Sequence, residues 1–245
     1  MTRRIPLFAA LLVPTLALAT GCDLLDQLGQ RTGVVDVFTT SHSTPDESGN
    51  MPTRNGDQLV FANDMGWDVF VNEAYVTTSA VTLLGCDGER FNVEMYWGAL
   101  AENVGTTADA EVEGMGGVRA DSGTYCDVLV EYGPADEVDN PAAMGATVYL
   151  TGSAVRGDEH VDFTWRTDAA LDVQVDISKV ASGKPFSISE DQHFSKKLTI
   201  SKAYNHLFDG VDFSETLEQA DIENLLADGL DQTTVAFEGT NLPSF

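Results

Sequence analysis

Basic residues are scarce in this chain. Its 245 residues hold 13 Lys and Arg against 39 Asp and Glu, a formal net charge of −26. Such a field repels phosphate backbones and anionic membrane surfaces, which argues against nucleic acid as a partner and favours cations. Histidine is limited to His42, His160, His193 and His206, and cysteine to Cys22, Cys86 and Cys126. The short signatures of common catalysts are missing as well: there is no glycine-rich phosphate loop, no HExxH, no CxxC and no G-x-S-x-G. No residue set is thereby singled out for bond-making chemistry, and the expectation is a non-enzymatic protein.

Long apolar runs are absent with one exception, Ile5 to Ala19. That run is too short for a hydrocarbon core of ~30 Å, which takes about 20 apolar residues to cross. Arg3 and Arg4 precede it, and Thr20 and Gly21 lead from it into Cys22. A positive start, an apolar middle and a small-residue end describe an export signal. The segment "ALATGC" resembles the lipobox of bacterial lipoproteins, with Leu18 one step before the usual leucine position, which Ala19 occupies. The resemblance implies a signal peptide over 1–21, cleavage before Cys22, and fatty-acyl chains on the Cys22 thiol. It also implies a spacer over 22–33 and a place in the bacterial cell envelope, on a membrane leaflet left open. Two or more acyl chains make a stable tether where one alone binds marginally.

With Cys22 assigned to lipid, Cys86 and Cys126 remain. In an oxidising compartment they are expected to pair, closing a loop that stabilises the fold by roughly 4 kcal/mol on the chain-entropy model. The alternative is a pair of free thiols offering soft metal ligands.

The middle of the chain reads as strands. Candidates are 34–39, 58–63, 67–73, 79–86, 90–97, 124–132, 146–155, 160–167, 171–178 and 196–201. Val161, Phe163 and Trp165 share one face against Asp162, Thr164 and Arg166, and Leu171, Val173 and Val175 oppose Asp172, Gln174 and Asp176. One apolar and one wet face per strand is the pattern of antiparallel sheet. The expected fold is therefore all-β, mainly an antiparallel β-sandwich, as a single domain over 34–245. Residues 40–57, 101–123 and 133–145 read as long loops, with "AEVEG" (110–114) as a short strand inside the second. From about residue 203 the character becomes helical. Asp212 and Glu215 fit a capping box, Leu217, Ile222, Leu225 and Leu226 an apolar face, and Gly229 a stop.

Three constellations could bind something. If 160–166 and 171–177 form a hairpin, His160 lies opposite Asp176 and near Asp162, a donor set suited to copper or zinc or, equally, a plain cross-strand pair. Asp209-Gly210-Val211-Asp212 looks like half a calcium loop, with His206 beside it and Tyr204, Phe208 and Phe213 interleaved. The alternative there is a turn in which Asp212 caps the helix and the aromatics fill the core. His193 completes the metal candidates. All five lysines (Lys179, Lys184, Lys196, Lys197 and Lys202) fall together, which fits protected strand edges or a partner with an acidic surface.

Taken in order, "AYVTTSAVTLLGC", "GTYCDVLVEYGPAD" and "GATVYLTGSAV" resemble the strand succession of periplasmic copper-binding proteins of the methanobactin-associated type. The resemblance covers about residues 74–155. It implies a sandwich and copper held by histidines near a modified tryptophan. The Met-x-x-Trp of that type has no counterpart here, since Gly145, Ala146 and Thr147 follow Met144. Two functions thus stand side by side: capture of a metal ion or small ligand in the envelope, or an interaction module whose long acidic loops meet another protein.

Overall fold

The computed structural model describes residues 32–46, 48–56, 58–104, 112–191 and 194–241. Its strands in chain order are β1 (Thr32–His42), β2 (Thr53–Asn55), β3 (Gln58–Ala62), β4 (Asp68–Gly85), β5 (Arg90–Asn92), β6 (Glu94–Met95), β7 (Leu100–Asn103) and β8 (Glu113–Asp121). They continue as β9 (Gly123–Tyr132), β10 (Val148–Arg156), β11 (Glu159–Thr167), β12 (Leu171–Asp176), β13 (Phe186–Ile188), β14 (Lys196–Ala203) and, after the helix α1 (Gln219–Thr233), β15 (Thr234–Glu238). These strands make an all-β sandwich of two sheets with one helix. No helix among the described residues is long and apolar enough to cross a membrane.

The smaller sheet runs β15-β14-β1-β8-β6. The larger is organised around β4, an 18-residue strand. One side of β4 is taken by β3, β7 and β5 in succession, the other by β10 and then β9. Residues 67–73 and 79–86, expected as separate strands, are one. No glycine or proline interrupts Ala74–Ser79, and the register instead shifts near Asn72 and near Ser79. Bulges of this kind increase local twist, which lets one strand serve two sets of neighbours. The inward residues Val35, Val37, Val81, Leu83, Val128, Val130, Leu198 and Ile200 form one continuous core between the sheets. Each fully buried Val, Leu or Ile contributes about 1.5–3 kcal/mol relative to exposure.

Several expectations are corrected. The hairpin of 160–166 with 171–177 does not form. β11 pairs β10 across Gly157-Asp158, and β12 pairs β9. Gly157 has φ 62°, and a glycine at the first central position gives a two-residue turn whose twist matches the flanking strands. Asp168–Ala170 offers no such residue, so the chain crosses to another strand there. Of the stretch 101–123, the described residues are largely strand, as the end of β7 and all of β8. Gly116 serves close approach there: a Cβ on it would lie 2.4 Å from the Glu94 carbonyl oxygen. β1 and β14 run parallel, an exception within an otherwise antiparallel molecule. Lys196, Lys197 and Lys202 do not protect an edge, because β14 lies between β1 and β15.

The helix begins later than expected. Glu218 is its N-cap and forms the capping box with Asp221, in place of Asp212 with Glu215. Ile222, Leu226 and Leu230 are its buried face, and it runs through Gly229 to Thr233. A Cβ at Gly229 would stand 3.3 Å from the Cα of Leu207, so this glycine lets the helix approach the 3-10 turn Tyr204–Phe208 closely. The aromatics of that turn do fill the core. Trp165 stacks on Phe213 with centroids 5.6 Å apart and planes 7° apart, and Phe208 packs against both Phe163 and Trp165.

Candidate functional site

The sequence of 90–97 predicts one strand. The stretch is a crossing between sheets. β5 pairs β4 in the larger sheet, Val93 is buried at the step, and β6 pairs β8 in the smaller sheet. The chain then turns at Gly98, φ 77°, and returns to β4 as β7. Tyr96 and Trp97 stand at the apex of this excursion, 56% and 83% exposed. They point into different grooves. Tyr96 lines one of about 780 Å³ with Asp36, Arg90, Asn92, Glu94 and Arg119. Trp97 lines another of about 1020 Å³ with Tyr75, Leu100, Asp136, Asp139 and Met144.

The Trp97 groove has one charge sign. Glu113, Asp136, Glu137 and Asp139 line it, and among the described residues no basic one does. Three of these acids lie on the loop 133–145, and that loop is tied down. Gly133 N donates to Thr77 O at 3.2 Å, Gly145 N to Ala135 O at 2.8 Å, and Arg166 Nη2 to Met144 O at 2.8 Å. Ala143, Ala146 and Tyr149 bury a small apolar cluster beneath it, with Tyr75 and Val138 alongside. At the groove wall Asn103 Nδ2 donates to the Tyr75 hydroxyl at 3.0 Å. Partial burial, followed by the nearby Glu73 and Asp139 carboxylates, raises the pKa of that phenol. The result is an apolar trough, with Trp97 and the 48%-exposed Met144 among its exposed side chains, rimmed by carboxylates on an ordered loop. Its chemistry suits a cation carried on an apolar body.

The residues expected from the sequence are dispersed. His160 Nε2 and Asp162 Oδ1 are 3.1 Å apart at an exposed position. Asp176 faces Asp127 on β9, and its carboxylate accepts from Ser178 N at 2.7 Å. Hydrogen bonds from the Ser178 hydroxyl and amide lower its pKa. His206 Nδ1 meets Asp209 Oδ2 at 2.6 Å, and its Nε2 meets the Thr44 hydroxyl. Asp212 turns the other way and does not join Asp209. Its Oδ1 accepts from Ser214 Oγ at 2.7 Å, from Ser214 N at 3.0 Å and from Trp67 Nε1 at 3.2 Å, with Arg156 at 3.3 Å. The Ser214 hydroxyl and amide, then Trp67 and Arg156, hold its carboxyl down at about 2. His42 is buried, with Nδ1 2.6 Å from Ser201 Oγ. Cys22 and His193 lie outside the described residues. Among the described residues no three of His, Cys, Asp and Glu come together to hold a metal ion, so the donor set expected for copper, zinc or calcium is not assembled from them.

Cys86 and Cys126 are bonded, with sulfurs 2.03 Å and Cα atoms 4.9 Å apart. The bond ties the end of β4 to β9, next to the Gly85–Tyr125 register pair. The Tyr96–Trp97 ridge escapes sequence reasoning because "FNVEMYW" satisfies a strand pattern throughout. The one available signal is three consecutive large side chains, Met95, Tyr96 and Trp97, where alternation would bury one and expose the next.

No protein-family model matches the chain, and no curated protein matches it. Among solved structures it is similar to MbnP from Methylosinus trichosporium, at 9% identity and a TM-score of 0.37, over 77% of this chain and 80% of that one.

Proposed function

We propose that this chain is a non-enzymatic binding protein of the bacterial cell envelope, tethered to a membrane by acyl chains on Cys22, which engages a protein partner through the acidic groove beside Trp97. The observation that carries the reading is the pairing of an 83%-exposed tryptophan with an ordered rim of carboxylates and, among the described residues, no basic side chain. A partner presenting lysine or arginine on an extended segment meets both features: aromatic faces attract cations, and the rim steers them. The tether rests on the sequence pattern ending in "ALATGC".

Tryptophan emission tests the groove. Trp67 and Trp165 are 0% and 5% exposed, so acrylamide-accessible emission from the described tryptophans belongs to Trp97. A lysine- and arginine-rich peptide should shift that emission in a salt-sensitive way, a matched glutamate peptide should not, and Trp97→Ala should remove the response. Equal responses to both peptides would end the proposal. Binding of copper, zinc or calcium at micromolar concentration, abolished by His160→Ala or His206→Ala, would instead support capture of a metal ion. For the tether, Cys22→Ser should leave an unprocessed precursor without fatty-acid label, and unchanged labelling would count against it.

A further inference from the structure

The groove on the other side of the ridge has a different chemistry. The Tyr96 ring spans two glycines of β8: a Cβ on Gly114 would lie 3.7 Å from its Cε2, and one on Gly117 would lie 3.8 Å from its hydroxyl. With no Cβ at either position, no side chain stands between the ring and the strand. The ring therefore rests on backbone while remaining 56% exposed. Around it stand planar polar side chains. The side chains of Arg90, Glu94 and Arg119 have no ion-pair or hydrogen-bond partner among the described residues. Asn92 is oriented by the Thr82 hydroxyl, which donates to its Oδ1 at 3.0 Å and leaves its Nδ2 to donate elsewhere. Asp36 accepts from Ser195 Oγ at 2.6 Å.

The charges decide the class of ligand. Arg90 and Arg119 stand against Asp36 and Glu94, so the lining has no net formal charge and favours neither an anion nor a cation. It offers donors from guanidinium and amide and acceptors from carboxylate, around one aromatic platform. A pyranose ring presents that complement: an apolar C–H face to lie on the aromatic ring and equatorial hydroxyls that both donate and accept. The volume of about 780 Å³ falls within the ~300–1,000 Å³ of small-ligand sites. We infer that the Tyr96 groove is a binding site for a neutral saccharide, with Tyr96 as the stacking platform and Arg90, Asn92, Glu94 and Arg119 as the hydroxyl-recognising residues.

Calorimetry on the full chain, kept soluble in a detergent without a sugar headgroup, tests this with maltotriose, cellotriose, xylotriose and chitotriose, and with trigalacturonate as the charged control. At least one neutral trisaccharide should bind at ~1 mM or tighter, equivalent to about −4 kcal/mol. Tyr96→Ala should weaken that binding at least about tenfold, Tyr96→Phe should retain it, and Arg119→Ala should weaken it without changing the melting temperature. Trp97→Ala should leave it unchanged, which separates this site from the acidic groove. Failure of all four neutral sugars, binding of trigalacturonate alone, or indifference to Tyr96→Ala would each overturn the inference.

Discussion

Lys202 of β14 extends into the space between the sheets and places its ammonium on the carboxylate of Glu102 of β7, with the two side chains 1% and 8% exposed. Lys202 also donates to Thr39 Oγ1 at 2.8 Å, and Thr39 Oγ1 donates to the other Glu102 oxygen at 2.9 Å. A three-member polar group thus joins the smaller sheet to the strand beside the Trp97 groove. A buried pair of this kind sets register more than it adds stability, because desolvation offsets much of the attraction.

Removing one member should therefore cost far more than removing both. Lys202→Met or Glu102→Gln should destabilise the protein by about 3–5 kcal/mol, since each leaves a buried charge without its partner. The double variant Lys202→Met with Glu102→Leu should recover most of the loss. Urea unfolding of the singles and the double reads this directly, and additive losses would contradict it.

The Cys86–Cys126 bond closes a separation of 40 residues. Replacing both cysteines with serine should lower stability by roughly 2–5 kcal/mol. The same loss should follow reduction of the wild-type chain and should be absent when the double variant is treated with reductant.

Asp212 makes part of the stability depend on pH. Its carboxyl is held down at about 2 in the folded chain against an ordinary value of 3.8, chiefly by Ser214 and further by Trp67 and Arg156. A depressed folded-state pKa means that this contribution is complete above about pH 4 and is lost as the pH falls from 3.8 toward 2. Asp212→Asn should flatten the stability profile in that window and leave its shape above pH 5 unchanged. An identical acid limb in the two proteins would refute the assignment.

Gly116 holds β6 against β8. Its replacement by alanine would drive a methyl into the Glu94 carbonyl, 2.4 Å away, and into Val93. Overpacking of this kind costs about 1–3 kcal/mol. The strand must move, and Tyr96 and Trp97 move with it. Gly116→Ala should therefore lower the melting temperature and weaken binding in both grooves together, unlike Trp97→Ala or Tyr96→Ala, which should act on one each.

Period-two alternation is a local property, and it made β9 to β12 and β14 readable because each carries its own inside and outside. Paired sulfurs were readable for a related reason, since only Cys86 and Cys126 remained once Cys22 was assigned to lipid. The partners of those strands were not readable. β12 has the right pattern to pair β11, and a glycine turn elsewhere decided otherwise. The metal candidates illustrate the same limit: histidine and aspartate near one another in sequence stayed as isolated pairs, because adjacent side chains on strands and turns diverge. Lys202 looked like a surface lysine until Glu102, 100 residues away, supplied its counter-charge.

The all-β class, the Cys86–Cys126 disulfide and the acidic character thus follow from composition and short-range patterns alone. The parallel β1–β14 pairing, the buried Lys202–Glu102 contact and the two grooves on either side of Tyr96 and Trp97 came only with the tertiary structure. The physical reason is that each of these is a meeting of backbones or charges far apart in the chain. Its free energy depends on which surfaces close around it, and no local run of residues encodes that.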